Sequence, residues 1–494
     1  MPSQCCPRRK ALLWCLAAAA LLLAVCSKSS PLYPLNDWMD ANIFYTAGKA
    51  MMNGQVLYRD VFDHKGPLLY LVYGVGWLLH RTGFWGVWGI EVLAFAAFLY
   101  AGLRTAELFA GPLHPAWVLV PGAAAASGAT FAHGGSAEEL CLPLLGAALY
   151  AVLRFFAARP DRRCPLPLRQ AALLGAAAGC VLWVKFTMLG LFAGLALALA
   201  AGYLRAGWGG RLLQSIAAFL AGLAATLLPW LVYFGANGAL GDFFGVYFGD
   251  NLFLYAGQTS GFAPGAAAFA VVQRLWWACH DAPLPALLAA AGFAWLAVRR
   301  RGCALAAAAM AACLAVTAFA FGDYHIYYAL PLSVFAPLGL VPLAGLARRL
   351  PALPARLRRV LPGAGAVLAV GFCLLASPNA DQLLRPAQQL PQYRFAADIR
   401  ADGGGTLLNY GTLDGGFYTV TGQLPPCKYF CVTNLPLAEQ QQQQDALLAA
   451  GGVDYVVTLD AGLDSRFANC TPMDAVTYDG GEGPVTWYLY RVTA

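Results

Sequence analysis

The chain has 494 residues, of which 60% are hydrophobic and only 12% are charged, and its mean hydropathy is +0.59. A soluble globular domain does not need this much apolar surface, so the composition indicates a protein with many membrane spans. The formal net charge of +7 comes largely from arginines in short loops between apolar segments. Such charges orient membrane proteins, and their placement argues against nucleic-acid binding.

The first segment, residues 7–26, begins with the basic residues Arg8, Arg9 and Lys10 and continues as an apolar run. A charged start and an apolar run are also typical of a signal peptide. We interpret the segment as an uncleaved first span whose basic end is cytoplasmic. The loop at 27–84 is then external.

Ten further spans are predicted from the later apolar segments. They are 85–106, 116–133, 140–156, two short spans within 170–204, 212–234, 284–298, 303–321, 326–346 and 359–376. The segment 67–80 is too short for a span, which needs about 20 residues. Counting it would also place the basic loop Arg154–Arg169 outside. We therefore expect 67–80 to be an amphipathic interfacial segment with Tyr70, Tyr73 and Trp77 as anchors.

The expected fold is mostly α: a polytopic transmembrane bundle of about eleven spans at 1–376, with external loops at 27–84, 134–139 and 235–283. The composition changes at Ser377, and residues 377–494 are predicted to form a small external α/β domain. Its expected strands are Thr406–Tyr410, Tyr455–Leu459 and Trp487–Val492, and its expected helical pieces are Leu413–Thr421 and Leu437–Ala450. The run Gln440–Gln444 is interpreted as a solvated helix face.

Three of the 14 cysteines, Cys427, Cys431 and Cys470, lie in this tail. An external tail could form one disulfide among them, and the sequence leaves the pairing open.

The polar stretch 34–67 interrupts the apolar pattern and contains several charged residues. Asp37 and Asp40 are three residues apart, so a helical turn would place both on one face. The aromatic and amide residues around them suit a sugar-binding cleft. Lys65 precedes Gly66 and Pro67, and it is either a cation for a lipid-linked phosphate or a lysine that snorkels to headgroups.

Other candidate residues lie at later predicted external turns. Glu138 and Glu139 form an acidic pair, while Lys185 lies in an apolar hairpin, where a charge indicates function by default. His325 is followed by Tyr327 and Tyr328, and a structural role as interfacial aromatics is an equal alternative. The sequence contains no P-loop, GxSxG, HExxH or paired CxxC motif, which excludes several nucleotide-driven, hydrolytic and zinc-dependent mechanisms.

The segment NDWMDANIFYTAGKAMMNGQVLYRDVFDHKGPLLY resembles the first external loop of the GT-C superfamily of membrane glycosyltransferases. Within that superfamily it is most similar to the bacterial branch related to protein mannosyltransferases and the lipid A aminoarabinose transferase. The matching positions are Asp40, Tyr58, Arg59, Asp60, Lys65, Gly66 and Pro67, with Glu138 or Glu139 as the second-loop acid and weaker matches at Lys185 and His325–Tyr328. The resemblance covers roughly residues 10–350 and does not extend to the tail.

This resemblance implies an inverting glycosyltransferase of the hexosyltransferase class with a polyprenyl-phosphate-linked monosaccharide as donor. It would act at the outer face of the cell membrane on an envelope glycan, lipid or protein. Asp40 is the expected base, with Asp37 as the open alternative, and Glu138 or Glu139 would position the acceptor or hold a divalent metal. The expected substrate-binding residues are Asp37, Asn42, Tyr58, Arg59, Asp60, Lys65, Lys185, His325 and Tyr328. Metal dependence stays open.

Two other classes of function compete with this hypothesis. A transporter or flippase of a lipid-linked or polar substrate would also need many spans, but it predicts polar groups near the bilayer midplane and repeated broken helices. An anchoring membrane protein that presents the tail is the third hypothesis.

Overall fold

The structure is a computed structural model that describes residues 8–158, 164–255, 264–320, 323–351, 353–481 and 483–493. Parts of two predicted loops, 159–163 and 256–263, lie outside the described residues. The chain forms two compact units. The helical unit comprises Met1–Ser27, Glu91–Pro229 and Gly261–Ala380, and the mixed unit comprises Lys28–Ile90, Trp230–Ser260 and Asp381–Ala494.

Eight helices of the described residues are long and apolar enough to cross a membrane. They are Arg8–Cys26, Trp85–Ala110, Ala137–Ala157, Phe186–Arg205, Gly209–Ala236, Arg301–Phe319, Ile326–Ala347 and Ala355–Ala376. A ninth span is formed if the helices Gly265–Asp281 and Pro283–Arg299, which are bent by 110° at their junction, are counted as one. The chain is therefore a multi-pass membrane protein, as its composition predicts.

Each of the eleven predicted spans corresponds to a helical segment, although not all reach full length. The predicted span at 116–133 corresponds to the shorter apolar helix Pro115–Ala126 and the 3-10 helix Ala129–Phe131, and the first half of 170–204 corresponds to the shorter helix Leu168–Leu182. The segment 235–283, predicted as a loop, is largely helical where it is described. It contains Leu240–Phe244, a π-helical segment Gly245–Tyr255 and Pro264–Asp281.

In the mixed unit, the helices Met39–Met52 and Pro67–Leu79 pack closely against each other. A Cβ atom at Gly48 would lie 2.5 Å from the backbone nitrogen of Gly74, so this packing requires glycine. The helix Pro67–Leu79 begins with proline at its first turn, as the sequence predicts. Tyr70 and Tyr73 are buried in this packing, so the prediction that they are interfacial anchors is wrong.

The tail forms a four-stranded mixed sheet in the order β1-β2-β4-β3. The strands are β1 (Leu407–Asn409), β2 (Tyr455–Thr458), β3 (Cys470–Asp479) and β4 (Pro484–Val492). The β1–β2 pair is parallel and the other two pairs are antiparallel. The three predicted strands are present. The sequence did not predict β3, because it is an exposed edge strand that is rich in polar residues and contains Pro472.

Neighbouring residues of a strand point to opposite sides of the sheet, so the apolar strands present buried side chains on both faces. Helices cover both of these faces. On one face Leu408 and Val456 pack with Leu448 of the helix Ala438–Ala449. On the other face Leu407 and Val457 pack with Phe395 and Ile399. The remaining short helices of the tail are Ala380–Gln382, Ala387–Gln389, Pro391–Ala401, Phe417–Thr421 and Leu463–Arg466.

The glutamine run is not simply a solvated face, which corrects the sequence-based interpretation. Gln440 and Gln444 are fully buried. The Gln440 side chain accepts from the backbone of Thr433 and donates to the carbonyl of Leu435. The Gln444 side chain accepts from Gly411 N–H and donates to the carbonyl of Tyr429. These glutamines satisfy loop backbone groups that burial would otherwise leave unpaired.

The predicted division into 1–376 and 377–494 stays a prediction, but the tail packs with the first loop in one unit. Thr46 donates to Asp414 at 2.6 Å, and Thr419 donates to Asn42 at 2.8 Å. The buried ammonium of Lys49 donates to the carbonyl of Tyr418 at 2.8 Å. The helix Met39–Met52 therefore reaches its folded environment only with residues of the tail in place.

Candidate functional site

Asp40 lies in the first turn of the helix Met39–Met52, where the helix dipole favours a carboxylate. Residues 41–50 of this helix are all buried, whereas Asp40 is partly exposed. The helix therefore fixes the position of this carboxylate while leaving it accessible.

Asp37, the alternative base, is held inside the mixed unit. Lys28 Nζ donates to its Oδ1 at 2.7 Å, and Tyr478 Oη donates to its Oδ2 at 2.6 Å. Lys28 also donates to the carbonyl of Gly480 at 2.9 Å. Burial and the charge of Asp37 raise the pKa of Tyr478, so the phenol stays protonated as a donor. Both oxygens of Asp37 are therefore engaged by the protein, which favours a structural role for this carboxylate.

Asn42 is fully buried and serves the fold rather than an open surface. Its side-chain amide donates to the carbonyls of Asn36 and Trp38. Its oxygen accepts the hydrogen bond from Thr419 described above.

The Tyr58-Arg59-Asp60 motif builds a turn. Tyr58 has a φ of 67°, an unusual conformation for a bulky residue. Its ring stacks on Phe234 with a centroid distance of 5.5 Å, and its hydroxyl donates to the carbonyl of Lys65 at 2.7 Å. Arg59 pairs with Asp60 and donates to the carbonyl of Asn237. The turn therefore fixes the backbone beside Lys65.

Asp63, His64 and Lys65 form a compact ionisable group. Asp63 Oδ1 lies 3.3 Å from His64 Nδ1, and His64 Nε2 lies 3.0 Å from Lys65 Nζ. Tyr70 donates to Asp63 Oδ2 at 2.8 Å. Burial pushes the pKa of Asp63 upward, but its interactions with His64, Lys65 and Tyr70 outweigh burial and hold that pKa at about 2.

Asp40 belongs to the same electrostatic environment, because its charge acts on the imidazole of His64. The charges of Asp40 and Lys65 therefore act on the same histidine. Asp63 and His64 were not predicted as site residues. The signal that could have found them is the run of three adjacent ionisable residues before Gly66-Pro67.

The helical unit brings together four other predicted residues. Lys185 lies in the break between two helices and forms an ion pair with Glu138. Its Nζ atom lies 3.6 Å from the ring centroid of Tyr328 and 5.4 Å from that of Tyr327. His325 stacks on Tyr327 at 5.6 Å with an interplanar angle of 15°. A cation, a carboxylate, an imidazole and two phenols thus share one cluster.

Glu139 contacts a different set of residues from Glu138. It is fully buried, its Oε2 accepts from Gly135 N–H at 2.8 Å, and its carboxyl interacts with that of Glu91. Ser27 donates to Glu91 Oε2 at 2.6 Å. Glu91 had no predicted role, because nothing in its own helix indicates that a second carboxyl lies nearby. Glu138, rather than Glu139, belongs to the cluster with Lys185.

No three His, Cys, Asp or Glu side chains gather as a metal site among the residues that the structure describes. Cys427, Cys431 and Cys470 are free thiols in the structure.

The sequence matches no protein-family model and no curated protein. Its fold does match two crystal structures of ArnT from Cupriavidus metallidurans, one bound to undecaprenyl phosphate and one in the apo state. The first is 15% identical, with a TM-score of 0.62 over 97% of this chain and 98% of that chain. The second is 14% identical, with a TM-score of 0.61 over 97% of each chain. ArnT is the lipid A aminoarabinose transferase, a GT-C enzyme, and the chain described above therefore has a GT-C-like fold.

Proposed function

We propose that this protein is a membrane glycosyltransferase that moves a monosaccharide from a polyprenyl-phosphate donor to a cell-envelope acceptor with inversion. The observation that supports this most directly is that Lys65 contacts His64 and the charge of Asp40 acts on the same imidazole, in a chain with the fold of ArnT. ArnT binds undecaprenyl phosphate in one of the matching structures, which suggests the class of donor.

The reaction is a single displacement at the anomeric carbon. Asp40 removes the proton from the acceptor hydroxyl as the new carbon–oxygen bond forms. The bond from the anomeric carbon to the phosphate oxygen breaks, and the phosphate leaves with the electron pair. Lys65 stabilises the negative charge on the departing phosphate, which needs no strong general acid.

The helical unit contains a candidate anion-binding cation of its own. We assign Lys185 to phosphate binding, with Glu138 holding the ammonium in the absence of that anion. His325 and Tyr328 position the sugar or its phosphate through the rings around Lys185. Glu139 supports the turn before its helix through Gly135 rather than contacting a substrate.

Five of the predicted substrate-binding residues act indirectly in this proposal. Asp37, Asn42, Tyr58, Arg59 and Asp60 make hydrogen bonds or ion pairs within the mixed unit. They position the first loop around Asp40 and Lys65.

The proposed location is the cell membrane, with a cytoplasmic N-terminus and the site and tail at the outer face. Phosphatase and fluorescent-protein fusions at the C-terminus test this orientation. A fluorescent but phosphatase-negative fusion would place the tail on the cytoplasmic side and contradict the proposal.

The function is tested with purified protein in lipid nanodiscs, undecaprenyl-phosphate-linked sugars and an envelope extract. Mass spectrometry of the extract should show the addition of one sugar. The Asp40→Asn variant should lose transfer while remaining folded, whereas Asp464→Asn, which changes an exposed acid of the tail, should keep it. Full activity of Asp40→Asn would remove the proposed base.

The same preparation distinguishes the transporter or flippase alternative. Movement of the lipid-linked sugar between leaflets without a covalent product would favour that alternative. A covalent product that depends on Asp40 would exclude it as the main activity.

A further inference from the structure

The contact between His64 and Lys65 determines the tautomer of the imidazole. A lysine ammonium has three donors and no acceptor. The 3.0 Å contact from Lys65 Nζ to His64 Nε2 therefore requires a lone pair on Nε2. The ring proton of the neutral imidazole must then be on Nδ1, which faces Asp63 Oδ1 at 3.3 Å.

Side chains from three other places hold the backbone of this pair. Asn251 donates to the carbonyl of His64 at 2.7 Å, and Tyr58 donates to the carbonyl of Lys65 at 2.7 Å. The backbone N–H of Lys65 donates to Tyr70 Oη at 2.9 Å. The backbone that carries the imidazole and the lysine is therefore held by hydrogen bonds, and the His64 ring itself is buried.

The groups that act on the charge of His64 are Lys65, Asp63 and Asp40. Burial lowers the pKa of His64 below its ordinary value of 6.5, and the positive charge of Lys65 acts in the same direction. Asp63 and Asp40 oppose this shift but do not cancel it. The ring is therefore neutral at pH 7 and becomes charged only in acid.

We propose that His64 is a positioning residue that holds the ammonium of Lys65 for the donor phosphate, and that protonation of its ring sets an acid limit on donor binding. The phosphate part rests on the proposed function. Protonation would place a proton on Nε2, remove the acceptor and set a second positive charge beside Lys65. The ammonium would then be displaced from its hydrogen-bonded position.

This role predicts a particular pattern in the variants. His64→Gln keeps an amide oxygen that can accept from Lys65, and glutamine does not titrate. His64→Leu keeps much of the volume but has no acceptor. We expect His64→Leu to raise KM for the donor about tenfold with a smaller effect on kcat, and His64→Gln to restore most of the loss.

The tautomer is measured without any transfer assay. Nitrogen NMR of histidine-labelled full-length protein in micelles resolves the ring nitrogens of the six histidines, and His64→Gln identifies the signals of His64. A neutral ring with the proton on Nδ1 at pH 7 supports the inference. A charged ring at pH 7, or a proton on Nε2, would overturn it.

The acid limit is measured by binding of undecaprenyl phosphate between pH 8 and pH 5. The dissociation constant of wild type should rise more steeply than that of His64→Gln as the pH falls. Titration of the phosphate itself affects both proteins equally, so it cancels in the comparison. His80→Gln, which changes another histidine of the mixed unit, should follow wild type.

The possible failures are distinguishable. If His64→Gln and wild type lose binding in parallel, the acid limit does not come from His64 and the inference fails alone. If wild type does not bind undecaprenyl phosphate at any pH, the role of Lys65 and the proposed donor both fail, whatever the tautomer.

Discussion

Among the residues that the structure describes, each unit contains a buried lysine–carboxylate ion pair, Lys28–Asp37 in the mixed unit and Lys185–Glu138 in the helical unit, and the surroundings of these two pairs differ. In the mixed unit, Lys28 donates to Asp37 and to the carbonyl of Gly480, and Tyr478 donates to Asp37. In the helical unit, Lys185 pairs with Glu138 beneath the aromatic face of Tyr328. A cation–π contact is less directional than a hydrogen bond, so the ammonium of Lys185 can turn to bind an anion that competes with Glu138. We therefore expect the first pair to stabilise the fold and the second to bind substrate.

The largest expected effect comes from breaking the first pair on one side. Lys28→Met leaves the carboxylate of Asp37 buried without its cation, and it should lower the free energy of unfolding by about 3–5 kcal/mol. Denaturant titration in micelles measures this change.

The double variant Lys28→Met/Asp37→Asn removes the stranded charge and should recover a large part of the stability. A Lys28→Met protein as stable as wild type would show that this pair does not fasten the first loop to the tail.

The second prediction is that removing the pair of the helical unit affects activity much more than stability. Lys185→Met/Glu138→Gln removes both charges, so the free energy of unfolding should change by only about 1 kcal/mol. Transfer should nevertheless fall about 100-fold, because a cation for the phosphate is lost.

The matched comparison is the double variant of Lys28 and Asp37, which should lose activity only in proportion to its loss of folded protein. Comparable specific activities of the two double variants would end the functional distinction between the pairs.

The third prediction extends the comparison to buried carboxyls and pH. The folded-state pKa of Asp63, about 2, is below the ordinary value of 3.8. Its stabilising contribution is therefore complete above pH 3.8 and is lost as the pH falls towards 2. Wild type should lose about 2 kcal/mol more unfolding free energy than Asp63→Asn between pH 5 and pH 2.

Asp414 should show the opposite sign. Burial raises its pKa to about 6, with Thr46, Gly416 and Lys49 opposing the shift. Its favourable contribution is complete below pH 3.8 and is lost as the pH rises through 6. The free energy of unfolding of Asp414→Asn, relative to that of wild type, should therefore be higher at pH 7 than at pH 4. An equal difference between the two proteins at both pH values would contradict this assignment.

The last prediction concerns a single hydrogen bond to the first pair. Tyr478→Phe removes the donor to Asp37 Oδ2 but leaves Lys28 in place, and it should lower the free energy of unfolding by about 2 kcal/mol. The same titration measures it, and Tyr488→Phe on the adjacent strand β4 is the control. An effect as large as that of Lys28→Met would mean that the phenol, not the ammonium, supports Asp37.

Hydropathy predicted the membrane fold well, because each span must be apolar over its own length. The elements that were missed depend on distant partners. The strand β3 has no apolar alternation of its own and exists by pairing with β4. Gln440 and Gln444 look polar and solvated in sequence, but they are buried because loop carbonyl and N–H groups need partners.

The site was predictable where charged residues interrupt apolar segments. This signal found Glu138, Lys185 and His325, which the structure gathers into one cluster. It could not separate Asp37 from Asp40, because the phenol that engages Asp37 lies 441 residues away along the chain. The orientation of the His64 ring was equally inaccessible, since it follows from a contact geometry rather than from residue type.

The joining of the first loop to the tail has a consequence for biosynthesis. Thr46 and its partner Asp414 are separated by 368 residues. At roughly 5–20 residues per second, the ribosome completes Asp414 about 20–70 s after Thr46. During that delay the nascent chain holds Lys49 and Asn42 without their final partners. Chaperones and membrane proteases therefore meet an unfinished first loop, and a premature stop codon even near the end of the gene would leave the proposed base on an unassembled helix.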